Sequence, residues 1–192
     1  MIQNIVEVIN DILKANAFAD MRFAGAKYFG LSSLYAIENE VSPFVVDDYG
    51  QANYCGYDNT TPLIIYHRTI SAQNNLDRTK AVVNDKLLSR QYTMNLIVTA
   101  QREKIQLTAE DVDLLIASAW KSYFTQQQLI DFNLRGCNLN YVSTNYSTSA
   151  LLQREYTGKN IINEPSLILF EIRYTVELTF NNGCLEILCC NN

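Results

Sequence analysis

The sequence is short of the residues on which most enzymatic chemistry depends. It contains a single histidine, His67, so a Ser or Cys nucleophile has only one imidazole that could act as its base. No Gly-x-Ser-x-Gly elbow is present, and the seven glycines form neither a P-loop nor a dinucleotide-binding fingerprint. We therefore predict no catalytic residue and no nucleotide cofactor.

Metal-binding patterns are also missing. A structural zinc site takes about four ligands, usually from two closely spaced pairs, and the chain has no Cys-x-x-Cys. Asp47, Asp48 and Asp58 lack the alternating spacing and closing Glu of a calcium loop. The odd number of cysteines, without repeated spacing, favours reduced thiols over a disulfide framework. The five are Cys55, Cys137, Cys184, Cys189 and Cys190.

Excess positive charge is the third absence. The net charge is -5, whereas phosphate neutralisation needs Lys and Arg concentrated on one face. The densest basic stretch has acidic residues between its cations, which is typical of a solvated or interface surface. Its cations are Arg78, Lys80, Lys86, Arg90, Arg102 and Lys104, and its acids are Asp77, Asp85 and Glu103. Nucleic acid is therefore not expected as a specifically bound partner.

Long apolar runs are absent too. The most apolar early stretch, Ala17 to Ile37, is interrupted by charged residues where a membrane span needs about 20 apolar ones. The first residues have no basic region, and Glu7 and Asp11 interrupt what would be the apolar part of a signal peptide. We expect no membrane insertion and a chain that stays in the compartment where it is made.

With 48% hydrophobic and 18% charged residues, the chain is expected to fold as one domain over residues 1–192. The pattern of its elements predicts an α+β fold, with an antiparallel sheet flanked by an N-terminal helix and a central helix. Apolar residues at helical spacing predict a first helix from Ile2 to Ala17. Thr108, followed by two acids, predicts the cap of a second helix that ends near Phe124. The apolar positions of this second helix are Val112, Leu115, Ile116, Ala119 and Tyr123.

The first strands are predicted as a hairpin. Leu34 to Val46 has the pattern of two short strands around Glu38 to Glu40, with Pro43 at the start of the second. Asp47 to Thr61 is rich in Asp, Asn and Gly and is predicted to be a long loop.

Two further strands are predicted to lie in one sheet. Leu63 to Ile70 is the first, and Gln91 to Ala100, with alternating apolar and polar residues, is the second. A polar link from Ser71 to about Asn84 joins them. His67 has the same parity as Leu63 and Ile65, which predicts a core or interface histidine with a hydrogen-bond partner.

The last third of the chain contains the strongest strand pattern. Leu167 to Phe180 alternates over its whole length, so one face should be buried and the other wet or paired. Leu139 to Thr144 and Ser149 to Tyr156 are weaker strand predictions. Residues 181–192 are predicted to form a hairpin or arm, because Asn-Asn-Gly precedes Leu185 to Cys189.

One aromatic group allows two interpretations. Trp120, Tyr123 and Phe124 could stack against bases, but they lie on a helix whose apolar face needs a core. Core packing is the favoured interpretation.

The order of these elements resembles that of tail-terminator and head–tail connector proteins of tailed bacteriophages. The residues that carry the resemblance are Ile2 to Ala17, Gln91 to Ala100 leading to the helix opened by Thr108, and Glu164-Pro-Ser-Leu leading into Leu167 to Phe180. The length and the Asn- and Tyr-rich composition are also similar to neck ring proteins of crAss-like podophages. The cysteine-bearing terminal arm departs from the shorter members of the group.

The resemblance implies a virion protein of the neck or tail, made in the bacterial host cytoplasm. Copies would assemble head to tail into a six- or twelve-membered ring between the portal or connector and the tail. DNA would pass through its channel without specific binding, for which the acidic charge is suited. No catalysis is implied, and Asp47 to Thr61 and Leu185 to Asn192 would bridge subunits.

Two other functions fit the residues. One is a small hydrolase or cofactor-binding enzyme that uses His67, whose turnover would be lost on His67→Ala. The other is a monomeric protein-binding module, such as an inhibitor of a host protein.

Overall fold

A computed structural model describes residues 1–37, 40–46, 51–76, 88–120, 126–132, 134–157 and 166–180. Within these ranges the chain combines one seven-stranded sheet with five α-helices, which confirms the predicted α+β class. The helices are α1 (Ile2–Ile12), α2 (Arg102–Ile105), α3 (Ala109–Ala119), α4 (Gln126–Asp131) and α5 (Thr148–Glu155). A π-helical turn, Leu13–Ala17, extends α1, so the first predicted helix is confirmed over its whole length.

The seven strands lie in one sheet, and the first and last strands of their order across the sheet are far apart. Its strands are β1 (Lys27–Ile37), β2 (Glu40–Val46), β3 (Ala52–Tyr54), β4 (Leu63–Leu76), β5 (Leu88–Gln101), β6 (Leu134–Asn145) and β7 (Leu167–Phe180). Their order across the sheet is β3-β2-β1-β4-β5-β7-β6. All neighbours are antiparallel except β1 and β4, which are parallel. The predicted hairpin, the β4–β5 pair and the long closing strand are therefore confirmed.

One face of the sheet carries the main core. Alternate residues of β5 and β7 point to this face, where α1 and α3 cover them. Helix α1 buries Ile5, Val6 and Ile9 there, and α3 buries Val112 and Ile116. Because every second residue of a strand shares a face, the strict alternation from Leu167 to Phe180 produces this layer directly.

The opposite face carries a second, smaller core under α5. Its buried members include Ile64 and Tyr66 of β4, Leu169 of β7, Leu151 within α5 and Tyr156 just after it. Both faces of β4, β5 and β7 are thus buried near the middle of the sheet, so polar side chains there have to find partners inside the protein.

Helix α3 begins as its sequence predicts. The Thr108 hydroxyl accepts from the Asp111 N–H at 3.2 Å, and the Asp111 carboxylate accepts from the Thr108 N–H at 2.9 Å. This reciprocal pair is a capping box. The helix ends at Ala119, earlier than the predicted end near Phe124, and residues 121–125 lie outside the described ranges.

Three predictions about the strands were wrong. Ser149 to Tyr156 is not a strand but belongs to α5, because Leu151 and Glu155 fall one helical turn apart and both face the sheet. The predicted loop from Asp47 to Thr61 contains the short strand β3. The polar link after Ile70 is strand as far as Leu76, since its backbone pairs with β5 whatever its side chains are.

Pro43 was also misplaced. It lies in mid-strand opposite Leu34, and β2 begins at Glu40 instead. A proline loses only the N–H of the ladder, and the Pro43 carbonyl still accepts from the Cys55 N–H at 3.1 Å. The predicted turn at Glu38 and Asn39 and the predicted arm over residues 181–192 lie outside the described residues.

Candidate functional site

The only imidazole is sealed in the main core. His67 is fully buried in the middle of β4, which confirms the prediction from its parity. Its Nδ1 lies 2.7 Å from the Tyr174 hydroxyl, and its Nε2 lies 2.9 Å from Oδ1 of Asn10. His67, on β4, thus links Asn10 of α1 to Tyr174 of β7.

The hydrogen bonds of Asn10 fix the protonation of this ring. The Asn10 amide nitrogen donates to the Phe29 carbonyl at 3.0 Å, which leaves Oδ1 as the acceptor for His67 Nε2–H. Nδ1 then accepts from the Tyr174 hydroxyl. Burial lowers the pKa of His67 to about 3, so the ring is neutral at neutral pH. An imidazole with both nitrogens occupied and no exposed surface is not placed to take a proton from a substrate.

A cluster of charged side chains lies on the opposite face, beneath α5. Glu155 is fully buried and accepts two hydrogen bonds from the Arg68 guanidinium, at 2.6 and 2.7 Å. Arg154 donates to Glu155 at 2.7 Å and to Glu171 at 2.7 Å, so it joins the two carboxylates. The Tyr66 hydroxyl also donates to Glu155, at 3.1 Å. The cluster attaches α5 to β4 and β7.

Glu171 is held by amides as well as by Arg154. The side chains of Asn95 and Asn145 donate to it at 2.6 and 3.1 Å. Burial opposes ionisation of Glu171, but the hydrogen bonds from Arg154 and Asn145 outweigh it and lower the pKa of this carboxyl. Glu171 is therefore ionised, and both carboxylates are fully engaged in hydrogen bonds. The geometry is that of a structural clamp and leaves neither group available as a general acid or base.

One cleft of about 420 Å³ opens beside the second core. Lys27, Phe29, Tyr57 and Asp58 line it together with Tyr54 and the backbone around Gly56. Its polar groups hold its own wall: Lys27 Nζ lies 3.1 Å from Asp58, and Asp58 accepts from the Thr60 N–H at 2.8 Å. The cleft is a by-product of the turn that Asp58 stabilises, as the turn-forming composition of this segment predicts.

Neither described cysteine is reactive in its surroundings. Cys55 is buried and Cys137 is half-buried, and both are free thiols. Burial raises the pKa of each to about 12, so each thiol stays protonated. Across the described ranges, no three His, Cys, Asp or Glu side chains come together in a way that could hold a metal ion. Cys184, Cys189 and Cys190 lie outside those ranges.

The outer edge of the sheet differs from its centre. Strand β6 pairs with β7 on one side, and on the other side no strand of the described residues pairs with it. Of its side chains, Tyr141 and Val142 are about half exposed, and Tyr146 follows just after the strand. We call this set, with Leu114 of the adjoining α3, the β6 edge. It places aromatic and aliphatic groups beside a row of backbone donors and acceptors that pair with no strand of the described residues.

The β6 edge has two register shifts but neither of the residue types that most often protect an edge strand from pairing. Proteins usually place Lys, Pro or inward-pointing charges there. Strand β6 has neither Lys nor Pro, and Arg135 at its start is its only charged residue. A register shift between Tyr141 and Ser143 marks an irregularity at Val142, whose side chain is 51% exposed.

Helix α3 holds the exposed aromatics of the β6 edge in place. Asp113 accepts from the Tyr146 hydroxyl at 2.5 Å and from the Thr144 hydroxyl at 2.9 Å. The Tyr141 hydroxyl lies 2.7 Å from the same Thr144 oxygen. These rings are therefore oriented before any partner arrives, which lowers the entropy lost on binding.

The aromatic residues at the end of α3 belong to this support. The Trp120 ring lies 5.1 Å from that of Tyr174 in the core and 6.3 Å from that of Tyr141 on the edge. Core packing, the favoured interpretation for Trp120, is confirmed. The side chains of Tyr123 and Phe124 lie outside the described part of the chain. Sequence reasoning missed the β6 edge, because a weak strand pattern at Leu139 to Thr144 does not reveal which strand is outermost.

No protein-family model and no curated protein matches this chain. No helix in the described ranges has the length and apolar character that crossing a membrane requires. Among the described residues, the molecule is an α+β protein with exposed apolar side chains at the rim of its sheet.

Proposed function

We propose that this protein is a structural subunit of a tailed-phage virion that assembles into a ring in the neck, between portal and tail. The ring has six or twelve copies, and DNA passes through its channel without specific binding. The phage context comes from the resemblance in element order. What the structure contributes is support for self-assembly.

The observation that carries the proposal is the open β6 edge. A strand of 12 residues with exposed Tyr141 and Val142 and a single charge is a template for protein contact. Tyrosines with few rotatable bonds, already held by Asp113, are common anchors of protein interfaces. A contact that joins this edge to a different surface of the next copy closes into a ring when the rotation between copies closes.

The interior supports a structural role in a second way. His67 is neutral and contacts Asn10 and Tyr174, while Glu155 and Glu171 accept hydrogen bonds from Arg68 and Arg154. Each of these groups joins one element of the fold to another. In a hydrolase that uses His67, the main core would have to open before the imidazole could meet a substrate.

The net charge of -5 is consistent with a channel protein. DNA has to slide through such a channel, and a surface of its own sign does not retain it.

The experiment compares two substitutions of an exposed apolar residue by lysine. Val142→Lys places a charge on the β6 edge, and Met21→Lys places one on a turn at a residue that is 89% exposed. Sedimentation velocity of the purified wild type and Met21→Lys should show a ring, and Val142→Lys should sediment as a single chain. A wild type that stays a single chain at every concentration, and is absent from purified phage particles by mass spectrometry, would overturn the proposal.

A further inference from the structure

The charged cluster beneath α5 contains two polar atoms that its hydrogen bonds do not use. Nε of Arg68 and Oδ1 of Asn95 are both buried, and neither has a hydrogen-bond partner among the atoms of the described residues. Asn95 is only 4% exposed, and the Arg68 side chain is 17% exposed. Buried polar atoms in folded proteins are nearly always hydrogen-bonded, so each of these two is expected to have a partner.

The strand register brings the two residues together. Arg68 of β4 lies directly opposite Asn95 of β5. The side chains of such a pair point to the same face of the sheet, with their Cβ atoms roughly 5 Å apart. This face is the one that α5 covers, because Tyr66, two residues before Arg68, belongs to the second core. The two unpartnered atoms therefore belong to neighbouring side chains under α5.

The hydrogen bonds of the cluster already connect these two residues indirectly. Arg68 donates to Glu155 at 2.6 and 2.7 Å, and Arg154 donates to Glu155 at 2.7 Å. Arg154 also donates to Glu171 at 2.7 Å, and Asn95 donates to Glu171 at 2.6 Å. The series starts at Arg68 and ends at Asn95, which are neighbours in the sheet. One further link between its two ends would close the series into a ring.

The chemistry of the two atoms decides what can link them. Arg68 Nε carries a hydrogen and can only donate, whereas Asn95 Oδ1 can only accept. The amide of Asn95 is oriented by its other atom, since Nδ2 donates to Glu171.

An ion fits these two atoms poorly. A cation would meet the guanidinium of Arg68, and an anion would meet the amide oxygen of Asn95 with the Glu171 carboxylate close by. The link has to accept from Nε and donate to Oδ1. Water has both functions on one atom and commonly bridges buried polar groups in this way.

We propose that one ordered water molecule binds between Arg68 and Asn95, where it accepts from Nε–H and donates to Oδ1. The water completes a ring of hydrogen bonds that joins α5 to β4, β5 and β7. It also holds the Arg68 guanidinium along a second edge, in addition to the edge that Glu155 engages, so the plane of this group is fixed. The site is independent of the proposed function.

The test is a crystal structure of the full chain at a resolution that shows ordered water, determined for the wild type and two variants. Asn95→Leu and Asn145→Leu each remove one amide that donates to Glu171. Only Asn95→Leu also removes the acceptor of the water. The wild type and Asn145→Leu should therefore show a water peak next to Arg68 Nε, and Asn95→Leu should lose that peak.

The wild type decides the matter if Asn95→Leu does not fold, because its water has to lie about 2.7–3.2 Å from both atoms. A wild type without a peak at both distances would overturn the proposal. Two direct contacts would do the same: a bond from Arg68 Nε to Asn95 Oδ1, or a bond to that oxygen from Arg173, which lies opposite Asn95 on β7. A peak that persists in Asn95→Leu would also overturn it, since Arg68 alone would then hold the water.

Discussion

Polar and apolar groups are arranged in opposite ways at the centre of the sheet and at its β6 edge. In the centre, His67 is fully buried with both ring nitrogens hydrogen-bonded. At the edge, Val142 is half exposed beside tyrosines whose hydroxyls are held by Asp113 and Thr144. Titratable groups are thus enclosed and saturated, while apolar groups are presented to solvent in fixed positions.

The difference shows where function can reside in this molecule. Enclosed groups such as Glu155 and His67 can stabilise the fold but cannot meet a substrate without unfolding around it. Presented groups such as Tyr141 keep about half of their surface exposed, and covering that surface would stabilise a complex. A substitution in the centre should therefore change stability, and a substitution at the edge should change assembly.

The largest loss of stability is expected from Glu155→Ala. It leaves Arg68, whose side chain is 17% exposed, without its bidentate partner, and unpairing a buried charge costs about 3–5 kcal/mol. Glu103→Ala, at an exposed carboxylate, should change the free energy of unfolding by less than about 0.5 kcal/mol. Urea unfolding of both variants measures the contrast. Equal losses of stability in the two variants would contradict the assignment of the charged cluster around Glu155 as a structural clamp.

The next effect is a pH dependence that belongs to His67. Its folded-state pKa of about 3 lies below the ordinary value of 6.5, so the unfolded chain binds the proton first. Stability is complete above about pH 6.5 and falls as the pH decreases toward 3. Between pH 7 and pH 5 the linkage amounts to about 2 kcal/mol.

The matched variant for this effect is His67→Gln, which cannot titrate. It should be less stable at pH 7, because Tyr174 and Asn10 lose their partner, and its stability should be flat between pH 7 and pH 5. Carboxylates with lowered pKa, such as Asp58 and Glu171, titrate below this window in both chains. Parallel profiles for wild type and variant would contradict the assignment of a sealed neutral imidazole.

A smaller loss of stability is expected from a substitution at the start of α3, the helix that supports the β6 edge. Thr108→Ala removes the hydroxyl of the capping box and should destabilise the protein by about 1 kcal/mol. Ser118→Ala on the same helix removes only a hydroxyl bonded to the Leu114 carbonyl and should cost less than about 0.5 kcal/mol. Chemical unfolding resolves the pair. Equal losses would mean that the cap does not hold α3.

The smallest change in stability is predicted for Val142→Lys. Because the Val142 side chain is 51% exposed, the free energy of unfolding should change by no more than about 0.5 kcal/mol. The melting temperature should shift only by the corresponding amount. Assembly should nevertheless be lost, since a charge on an edge strand opposes pairing. A variant that unfolds instead would show that Val142 belongs to the core and not to the edge.

The sequence predicted local features well. Leu167 to Phe180 has the bounds of β7, because the alternation of apolar and polar residues from Phe170 to Phe180 fits a strand and not a helix. Thr108 and Asp111 announce a helix start because the cap involves residues only three apart. The parity of His67 likewise predicted its place in the core, because every second residue of a strand lies on the same face.

Features that depend on distant residues were not predictable. Arg68 and Glu155 are 87 residues apart, and Asn10 and Tyr174 meet His67 across 57 and 107 residues. Strand β6 is outermost only because β7 returns to lie between it and β5, which its own residues do not encode. The strand predicted at Ser149 to Tyr156 failed because eight residues are too few to separate the two periodicities.

The most direct measurement is the native mass of the wild-type chain beside that of Val142→Lys at one concentration. With a chain of 21.9 kDa, a ring of six has a mass of about 131 kDa and a ring of twelve about 263 kDa. The account predicts one of these masses for the wild type and the single-chain mass for the variant. A wild type at the single-chain mass, or a Val142→Lys ring of unchanged mass, would contradict the claim that the β6 edge is where this protein acts.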